Sequence, residues 1–147
     1  MTIPMPTLDP CPFCLSLSGS NECVFVHRDP RVASFVNPSQ HSPGSLLVIP
    51  VDHFANILDL PRELAREIYA HAHQLAAAAV TAFGASGVNV FQNNGVDAGQ
   101  QVPHYHVHVI PRYPGDDPTR VFQARNASRI NVAEQQRIAA ALHNVLA

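Results

Sequence analysis

The 147-residue chain contains no lysine and no tryptophan, and its nine basic residues are all arginine. Without lysine, the protein cannot form a Schiff base with a substrate or complete a phosphate-binding loop that ends in Gly-Lys-Ser/Thr. Its net charge of -2 also lacks the excess of basic residues that binding to nucleic acid or to anionic lipid requires. We therefore expect neither nucleic acid nor a membrane among its partners.

Long apolar segments are also missing from the sequence. The first ten residues lack the basic start and apolar stretch of a secretory signal, and no segment reaches the roughly 20 apolar residues of a membrane span. Three cysteines, Cys11, Cys14 and Cys23, fit a reducing compartment better than a disulfide framework. We expect a cytoplasmic protein.

The order of turn residues and apolar runs predicts a single α+β domain over residues 1–147. Helical spacing of apolar residues predicts helices over 61–83 and from Asn131 onward. The prolines of residues 1–10 indicate a loose arm, and residues 113–147 would form a C-terminal extension carrying the last helix. β-branched and aromatic runs predict strands at 24–26, 31–36, 46–49, 88–91 and 103–110, with a short strand at 121–122 in an otherwise irregular 111–130 segment.

Three histidines, His104, His106 and His108, alternate along the strand predicted at 103–110. Because alternate residues of a strand share a face, their imidazoles would lie roughly 7 Å apart on one side, with Tyr105 and Val107 facing the core. A buried imidazole without a partner costs on the order of 1–3 kcal/mol, so the row must face something polar. Three interpretations follow: an exposed edge strand, a three-histidine metal centre, or acid–base and nucleophilic chemistry on phosphorus.

The segments before this strand favour chemistry on phosphorus. Gln92–Gly95 and Ala98–Gln101 supply amides and exposed backbone N–H groups. Neutral donors of this kind suit phosphate oxygens.

Cys11 and Cys14 have the spacing of half a structural zinc site, which needs two further ligands to complete a tetrahedron. The alternative interpretation is a pair of small residues buried in a loop. Cys23 lies beside a predicted strand and is expected to be a small buried hydrophobic residue.

Three blocks of the sequence, in this order, resemble the histidine triad (HIT) superfamily. The N-terminal Cys11–Cys14 resembles its Cys-x-Phe-Cys block, PGSLLVIPVDH resembles a second landmark, and the stretch from Asn93 through AGQQVPHYHVHVIPR resembles the His-φ-His-φ-His signature, φ being hydrophobic. The blocks span residues 11–112. The resemblance implies a mostly antiparallel sheet of about five strands with one long central helix and a C-terminal helix. It also implies a twofold homodimer in which the two sheets join and the 61–83 helices pack between the subunits.

The resemblance also implies roles for the residues that match the motifs. His106 would attack the α-phosphorus of a purine nucleoside phosphoramidate or a dinucleoside polyphosphate and form a nucleotidyl-histidine, with His108 contacting the phosphate and the leaving group. His104 would orient its neighbour or serve a metal. Asn37 would meet the ribose hydroxyls, a plain Asn-Pro turn being the alternative. The other expected substrate contacts are Asn93, Gly99, Gln100, Gln101 and Val102.

Resemblance to bacterial members implies that His53 and His104 complete a zinc site with Cys11 and Cys14. Four protein ligands leave no open position, so the zinc would be structural, and no organic cofactor is expected.

One position departs from the pattern: Ser45 stands where many members carry a histidine that supports the triad. His41 lies four residues too early to replace that histidine simply. The alternative function is therefore a nucleotide-binding regulatory protein with weak or vestigial catalysis.

Three further charged or titratable residues have less specific interpretations. Arg112 would approach the phosphates of a longer substrate or carry charge on a solvated loop. His71 and His73 are two residues apart on the predicted helix and do not share a face, so both are expected at the surface.

Overall fold

The computed structural model describes residues 2–122 and 126–146. Five strands form one sheet in the order β1-β2-β4-β6-β5, with every neighbouring pair antiparallel, which confirms the predicted α+β class. Two short strands, β3 and β7, pair as a separate ribbon. The strands are β1 Phe25–Arg28, β2 Val32–Val36, β3 Ser39–Gln40, β4 Leu46–Pro50, β5 Gly87–Phe91, β6 Val107–Arg112 and β7 Ser128–Arg129. The helices are α1 Pro12–Ser18, α2 Arg62–Phe83 and α3 Val132–Leu146, with short 3-10 helices at Val96–Ala98 and Pro118–Phe122.

Helix α2 begins and ends where its capping residues predict. Pro61 is the N-cap residue, one position earlier than the predicted first-turn site. At the other end Gly84 adopts φ 65°, and its N–H donates to the Val80 carbonyl at 3.1 Å. Helix α3 has an asparagine cap, because the Asn131 side chain accepts from the Glu134 N–H at 2.9 Å.

The C-terminal region differs from the sequence prediction. The short strand expected at 121–122 is wrong, since these residues end the 3-10 helix. The strand of this region is β7, which pairs with β3 through Ser39 and Arg129. Part of the predicted irregular segment, residues 123–125, lies outside the described residues.

The two faces of the sheet are covered unequally. One face lies under α2 and α3, and its buried side chains include Val48, Val107, Ile68, Leu75 and Leu142. The opposite face carries a smaller cluster, Ala33, Phe35, Leu47 and Ile49, against which α1 packs. Because the short α1 covers only part of this second face, the remaining part is open to a ligand.

The N-terminal arm is attached to the loop before β6. Residues 2–10 form no helix or strand, but the Pro4 carbonyl accepts from the Val96 N–H at 2.9 Å. The Ile3 side chain also packs close to Gly95. The arm is therefore held here rather than loose. Among the described residues, no helix combines the length and the apolar character needed to cross a bilayer.

His71 on α2 is the exception to the predicted surface position. It is partly buried, and its Nε2 lies 2.8 Å from the Ser34 hydroxyl of β2. His73 is exposed, as predicted.

Candidate active site

A row of side chains on the open face of the sheet forms the floor of a cavity of about 680 Å³. Strand register places Phe35 of β2 next to Leu47 of β4, Leu47 next to His108 of β6, and His108 next to Phe91 of β5. Because neighbouring strands are about 4.8 Å apart, roughly 10 Å separates His108 from Phe35. The cavity thus has a histidine end and an aromatic end.

The three alternating histidines lie close together, but only His108 belongs to a strand. Strand β6 begins at Val107, four residues later than predicted, so His104 and His106 lie on the extended backbone before it. His104 is fully buried and His106 is 6% exposed. Strand β6 also lies inside the sheet, between β4 and β5. The edge-strand interpretation is therefore wrong.

One hydrogen bond determines which ring nitrogen of His106 carries the proton and which keeps the lone pair. Its Nδ1 lies 2.7 Å from the His104 carbonyl oxygen, and because a carbonyl can only accept, Nδ1 carries the hydrogen. Burial lowers the pKa of His106, so the ring is neutral near pH 7. Nε2 then keeps an unprotonated lone pair, and the residue lines the cavity. This is the tautomer that a nucleophilic imidazole requires.

His108 is held between aromatic rings. It stacks on Phe91 with ring centroids 4.4 Å apart and an interplanar angle of 13°, and its centroid lies 5.0 Å from that of His106. Burial, followed by the neighbouring His106 and His41, lowers the pKa of His108 to about 3. The ring is neutral at physiological pH and offers one donor and one acceptor to the cavity.

The donors predicted for phosphate contact lie at the histidine end of the cavity, with one exception. Asn93, Gly99, Gln101 and Val102 all line it. Gln100 does not: its side chain accepts from the Gly95 N–H at 2.8 Å and donates to two backbone carbonyls. The Gln100 side chain thus shapes the loop, and its contact with a substrate stays a prediction.

The aromatic end contains residues that the sequence did not single out. Phe13 of α1 lies edge-on to Phe35 and to His106, with ring centroids 5.3 Å apart in each case. The C-terminal region adds Arg129 from β7 and Gln135 from α3 to the wall. Phe13 lies within the Cys-x-Phe-Cys block, but no local motif marks Arg129 or Gln135, because β3–β7 pairing and helix packing bring these two to the cavity.

Asn37 forms the predicted turn and also lines the cavity, while its contact with a ribose stays a prediction. Its side-chain oxygen accepts from the Ser39 N–H at 2.9 Å, as in an Asx turn. The residue also lines the cavity near the aromatic end.

Four predicted metal ligands, Cys11, Cys14, His53 and His104, form one cluster in which all ligand atoms lie within 4.8 Å of one another. The Nδ1 atom of His104 lies 3.5 Å from the Cys11 sulfur and 3.6 Å from the Cys14 sulfur, and the Nδ1 atom of His53 lies 3.3 Å from the Cys14 sulfur. In a zinc tetrahedron with bonds of about 2.3 Å to sulfur and 2.0 Å to nitrogen, sulfur and nitrogen are about 3.5 Å apart. The donor set therefore fits zinc.

Hydrogen bonding orients His104 toward this cluster. Its Nε2 lies 2.9 Å from the Pro50 carbonyl and must donate, which leaves the lone pair of Nδ1 for a metal. Burial and the adjacent Cys11 raise the pKa of Cys14 to about 11, so the metal-free site holds a neutral thiol there. Among the described residues this is the one metal-binding cluster of three or more such side chains, and His104 is its only triad member. A three-histidine metal centre is thus not formed.

Ser45 and His41 occupy positions that the sequence did not predict. Ser45 is fully buried and donates to the Ser42 carbonyl at 2.6 Å, so it braces its own loop. His41 lies beside His108, with ring centroids 6.0 Å apart. His41, four residues before position 45, thus lies against a member of the triad that is distant in sequence.

Arg112 is held outside the cavity. Its side chain is 14% exposed, and its Nε donates to Asp116 at 3.0 Å. In the structure Arg112 therefore neither lines the cavity, as a phosphate contact would, nor carries a free charge on a solvated loop, because it pairs with Asp116.

A sequence model described as "HIT domain" matches residues 18–115 of this chain. The chain belongs to the HIT family. Among the relatives, "Protein hit" of Bacillus subtilis is 34% identical over 137 residues, which cover 93% of this chain and 94% of the relative. The "Adenosine 5'-monophosphoramidase hnt1" of Schizosaccharomyces pombe is 35% identical over 102 residues, 69% of this chain and 74% of the relative.

Solved HIT structures share the whole fold. The zinc-bound histidine triad family protein from Mycobacterium smegmatis has a TM-score of 0.78 and 28% identity, covering 93% of each chain. The predicted HIT fold is thereby confirmed. This relative binds zinc, and the Cys/His cluster of the present chain is a candidate site for the same metal.

Proposed function

We propose that this HIT protein is a nucleotide hydrolase or nucleotidyltransferase that cleaves at the α-phosphate of purine nucleoside phosphoramidates or dinucleoside polyphosphates. The observation that carries the proposal is the 2.7 Å hydrogen bond from His106 Nδ1 to the His104 carbonyl. It supports an unprotonated Nε2 on a buried ring at the cavity wall. The S. pombe relative, an adenosine 5'-monophosphoramidase, supports the substrate class.

The reaction follows from this tautomer. The lone pair of His106 Nε2 attacks the α-phosphorus, an N–P bond forms, and the bond from phosphorus to the leaving amine or phosphate breaks with the electron pair going to the leaving group. A leaving amine takes up a proton from water as this bond breaks, so that it departs as the neutral amine. Water then hydrolyses the N–P bond and releases the nucleoside monophosphate. Throughout, His104 acts through its carbonyl oxygen, which accepts from Nδ1 and stabilises the imidazolium formed on attack. His108 contacts the phosphate and the leaving group.

The cavity has a place for each part of a nucleotide. Phosphate at His106 and His108 would meet the exposed donors of Gly99 and Gln101, and the ribose would lie toward Asn37. The base then reaches the apolar floor around Phe35, two strands away from His108. Neutral hydrogen-bond donors can hold the transferred phosphate without lysine, which this chain lacks.

We also propose that Cys11, Cys14, His53 and His104 hold a structural zinc ion. When bound, the ion supplies a fixed point that ties α1 to the backbone before β6 and has no open position for substrate. Its support is the approach of the four ligand atoms to within 4.8 Å of one another, with three sulfur–nitrogen distances of 3.3–3.6 Å. Fixing His104 also fixes the carbonyl that orients His106.

Turnover separates this enzyme from the alternative, a nucleotide-binding regulatory protein. Wild type should hydrolyse an adenosine phosphoramidate, whereas His106→Ala should retain AMP binding and lose turnover by on the order of 10³-fold or more. His73→Ala, on the exposed face of α2, serves as the matched control. Equal, slow hydrolysis by wild type and His106→Ala, with AMP binding retained, would favour the regulatory protein. The observation behind that alternative is Ser45, which stands where a histidine would support the triad.

The homodimer is a further proposal. Strand β5 lies at one edge of the sheet, where Val90 is 42% exposed, and Tyr69 and Val80 of α2 are also exposed apolar residues. An exposed edge and nearby apolar side chains suit a twofold joining of two sheets. Sedimentation equilibrium should give twice the chain mass, and Val90→Lys should shift it toward the monomer.

A further inference from the structure

We propose that His41 is a fourth active-site imidazole, a positioning residue that holds His108 against the leaving group of the substrate. This inference rests on the proposed function, in which His108 contacts the phosphate and leaving group. It concerns a residue outside the three-histidine motif, four positions from the serine that replaces a histidine common in the family.

The first argument is the packing around His108. Phe91 lies parallel to one face of its ring, and His41 and His106 approach with interplanar angles of 85° and 64°. A ring enclosed in this way cannot change its χ2 angle without moving His41 or Phe91. His41 therefore limits the orientation of His108 together with Phe91 and His106.

The second argument is the unused polarity of the pair. The Nδ1 atoms of His41 and His108 are both buried, and neither has a hydrogen-bond partner among the described residues. Both side chains line the same cavity. A buried polar atom without a partner costs on the order of 1–3 kcal/mol, so two such atoms on neighbouring rings are retained at a cost to stability, as expected for imidazoles that serve a ligand in this cavity.

The third argument is the rigidity of the loop that carries His41. Gln40, immediately before it, is buried, and its side-chain oxygen accepts from the N–H groups of Gly44 and Ser45 at 2.7 and 3.1 Å. The Ser45 hydroxyl donates to the Ser42 carbonyl at 2.6 Å and accepts from the Ser42 N–H at 3.2 Å. Ser45 thus fixes the loop that brings His41 to His108. The loop supplies the imidazole, and Ser45 holds the loop in place.

A double-mutant cycle between His41 and His108 tests the inference. The assay measures kcat and KM for an adenosine alkylphosphoramidate, a substrate with a poor leaving group, in wild type, His41→Phe, His108→Ala and the double variant. Phenylalanine keeps the ring volume of His41 and removes both nitrogens. We expect His41→Phe to lower kcat on the order of 10- to 100-fold with KM within about twofold, because a misdirected catalytic contact costs rate rather than ground-state binding.

If His41 acts through His108, the same change should have less than about a twofold effect when His108 is already alanine. In His41→Phe, kcat for a substrate with a good leaving group, such as a nitrophenyl ester of AMP, should fall less than kcat for the alkylphosphoramidate. His73→Phe is the matched control on an exposed face of α2.

Three results would overturn the inference: unchanged kcat in His41→Phe, an equal loss with both leaving groups, or an undiminished effect in the His108→Ala background. Thermal unfolding and AMP binding check the fold of each variant, and His41→Gln replaces His41→Phe if the latter does not fold. Loss of the proposed function itself has a different signature, since wild type would then be no faster than His106→Ala.

Discussion

Replacing Cys14 with serine tests the metal cluster and its link to stability most directly. Cys14 is central to the cluster, because its sulfur lies within 3.3–3.6 Å of a nitrogen of His53 and of His104. Serine oxygen is a poor neutral ligand for zinc, so the variant keeps three good ligands at most. We expect wild type to contain one zinc per chain and Cys14→Ser to contain little after dialysis against a mild chelator.

The loss of zinc should lower stability by a calculable amount. A ligand present at about 100 times its Kd stabilises the folded state by about 2.7 kcal/mol. For a domain of this size, each kcal/mol corresponds to about 2–4 °C in Tm, so chelation should lower the wild-type Tm by about 5–11 °C. Cys14→Ser should show the lower Tm already and should not respond further to the chelator.

Metal analysis and calorimetry with and without chelator provide the measurement. Cys23→Ser is the matched control, because Cys23 lies outside the cluster and its variant should keep both the zinc and the chelator response. One zinc per chain in Cys14→Ser, or a wild-type Tm that ignores the chelator, would refute the proposed site. Activity that needs zinc even when the Tm is unaffected would point instead to metal on the triad.

Three further predictions concern protonation, packing and the cavity loop. The pKa of His108 in the folded protein, about 3, lies below the roughly 6.5 of an unfolded histidine. The neutral ring therefore stabilises the fold above pH 6.5, and this stabilisation is lost as the pH falls. In urea titrations, the free energy of unfolding of wild type, compared with that of His108→Phe, should fall by about 2 kcal/mol between pH 8 and pH 5. An unchanged difference would contradict the buried neutral ring. Gly44→Ala should lower the free energy of unfolding by about 2–4 kcal/mol, since φ is 92° and the new Cβ would lie 2.8 Å from an aromatic ring. Gly115→Ala has a similar φ of 89° but open space around the new Cβ, so it should show only the cost of the left-handed backbone. Equal losses in the two variants would exclude the steric part. Gln100→Ala should lower the free energy of unfolding by about 1–3 kcal/mol, because it leaves buried backbone groups without hydrogen-bond partners. Gln101→Ala should instead weaken AMP binding, measured by calorimetric titration. The reverse pattern would contradict the loop geometry.

Local sequence was sufficient where short-range physics decides the outcome. Apolar spacing and its capping residues predicted α2 to within one residue, because helical hydrogen bonds join neighbours four apart. The cysteine pair with His53 and His104 was predicted from resemblance, and their ligand atoms lie together. Alternation correctly placed Tyr105 and Val107 in the core.

Alternation did not reveal where the strand starts. A two-residue period continues in any extended backbone, whereas strand pairing needs a partner, and β4 pairs only with Val107 to Val109 of this segment. His104 and His106 are therefore free of the sheet ladder, and the His104 carbonyl remains available to orient His106.

The sequence by itself determined the helices and most of the strands, because these depend on residue type and short spacing. The role of His106 and the four candidate metal ligands were expected from resemblance to a family, since His53 and His104 lie far from the two cysteines along the chain. Tertiary structure decided the rest of the cavity. It turned Gln100 inward, tied Arg112 to an aspartate, and brought Arg129 to the wall and His41 to His108. These placements depend on loop hydrogen bonds and on pairing between distant segments, and such contacts leave no periodic signal along the chain.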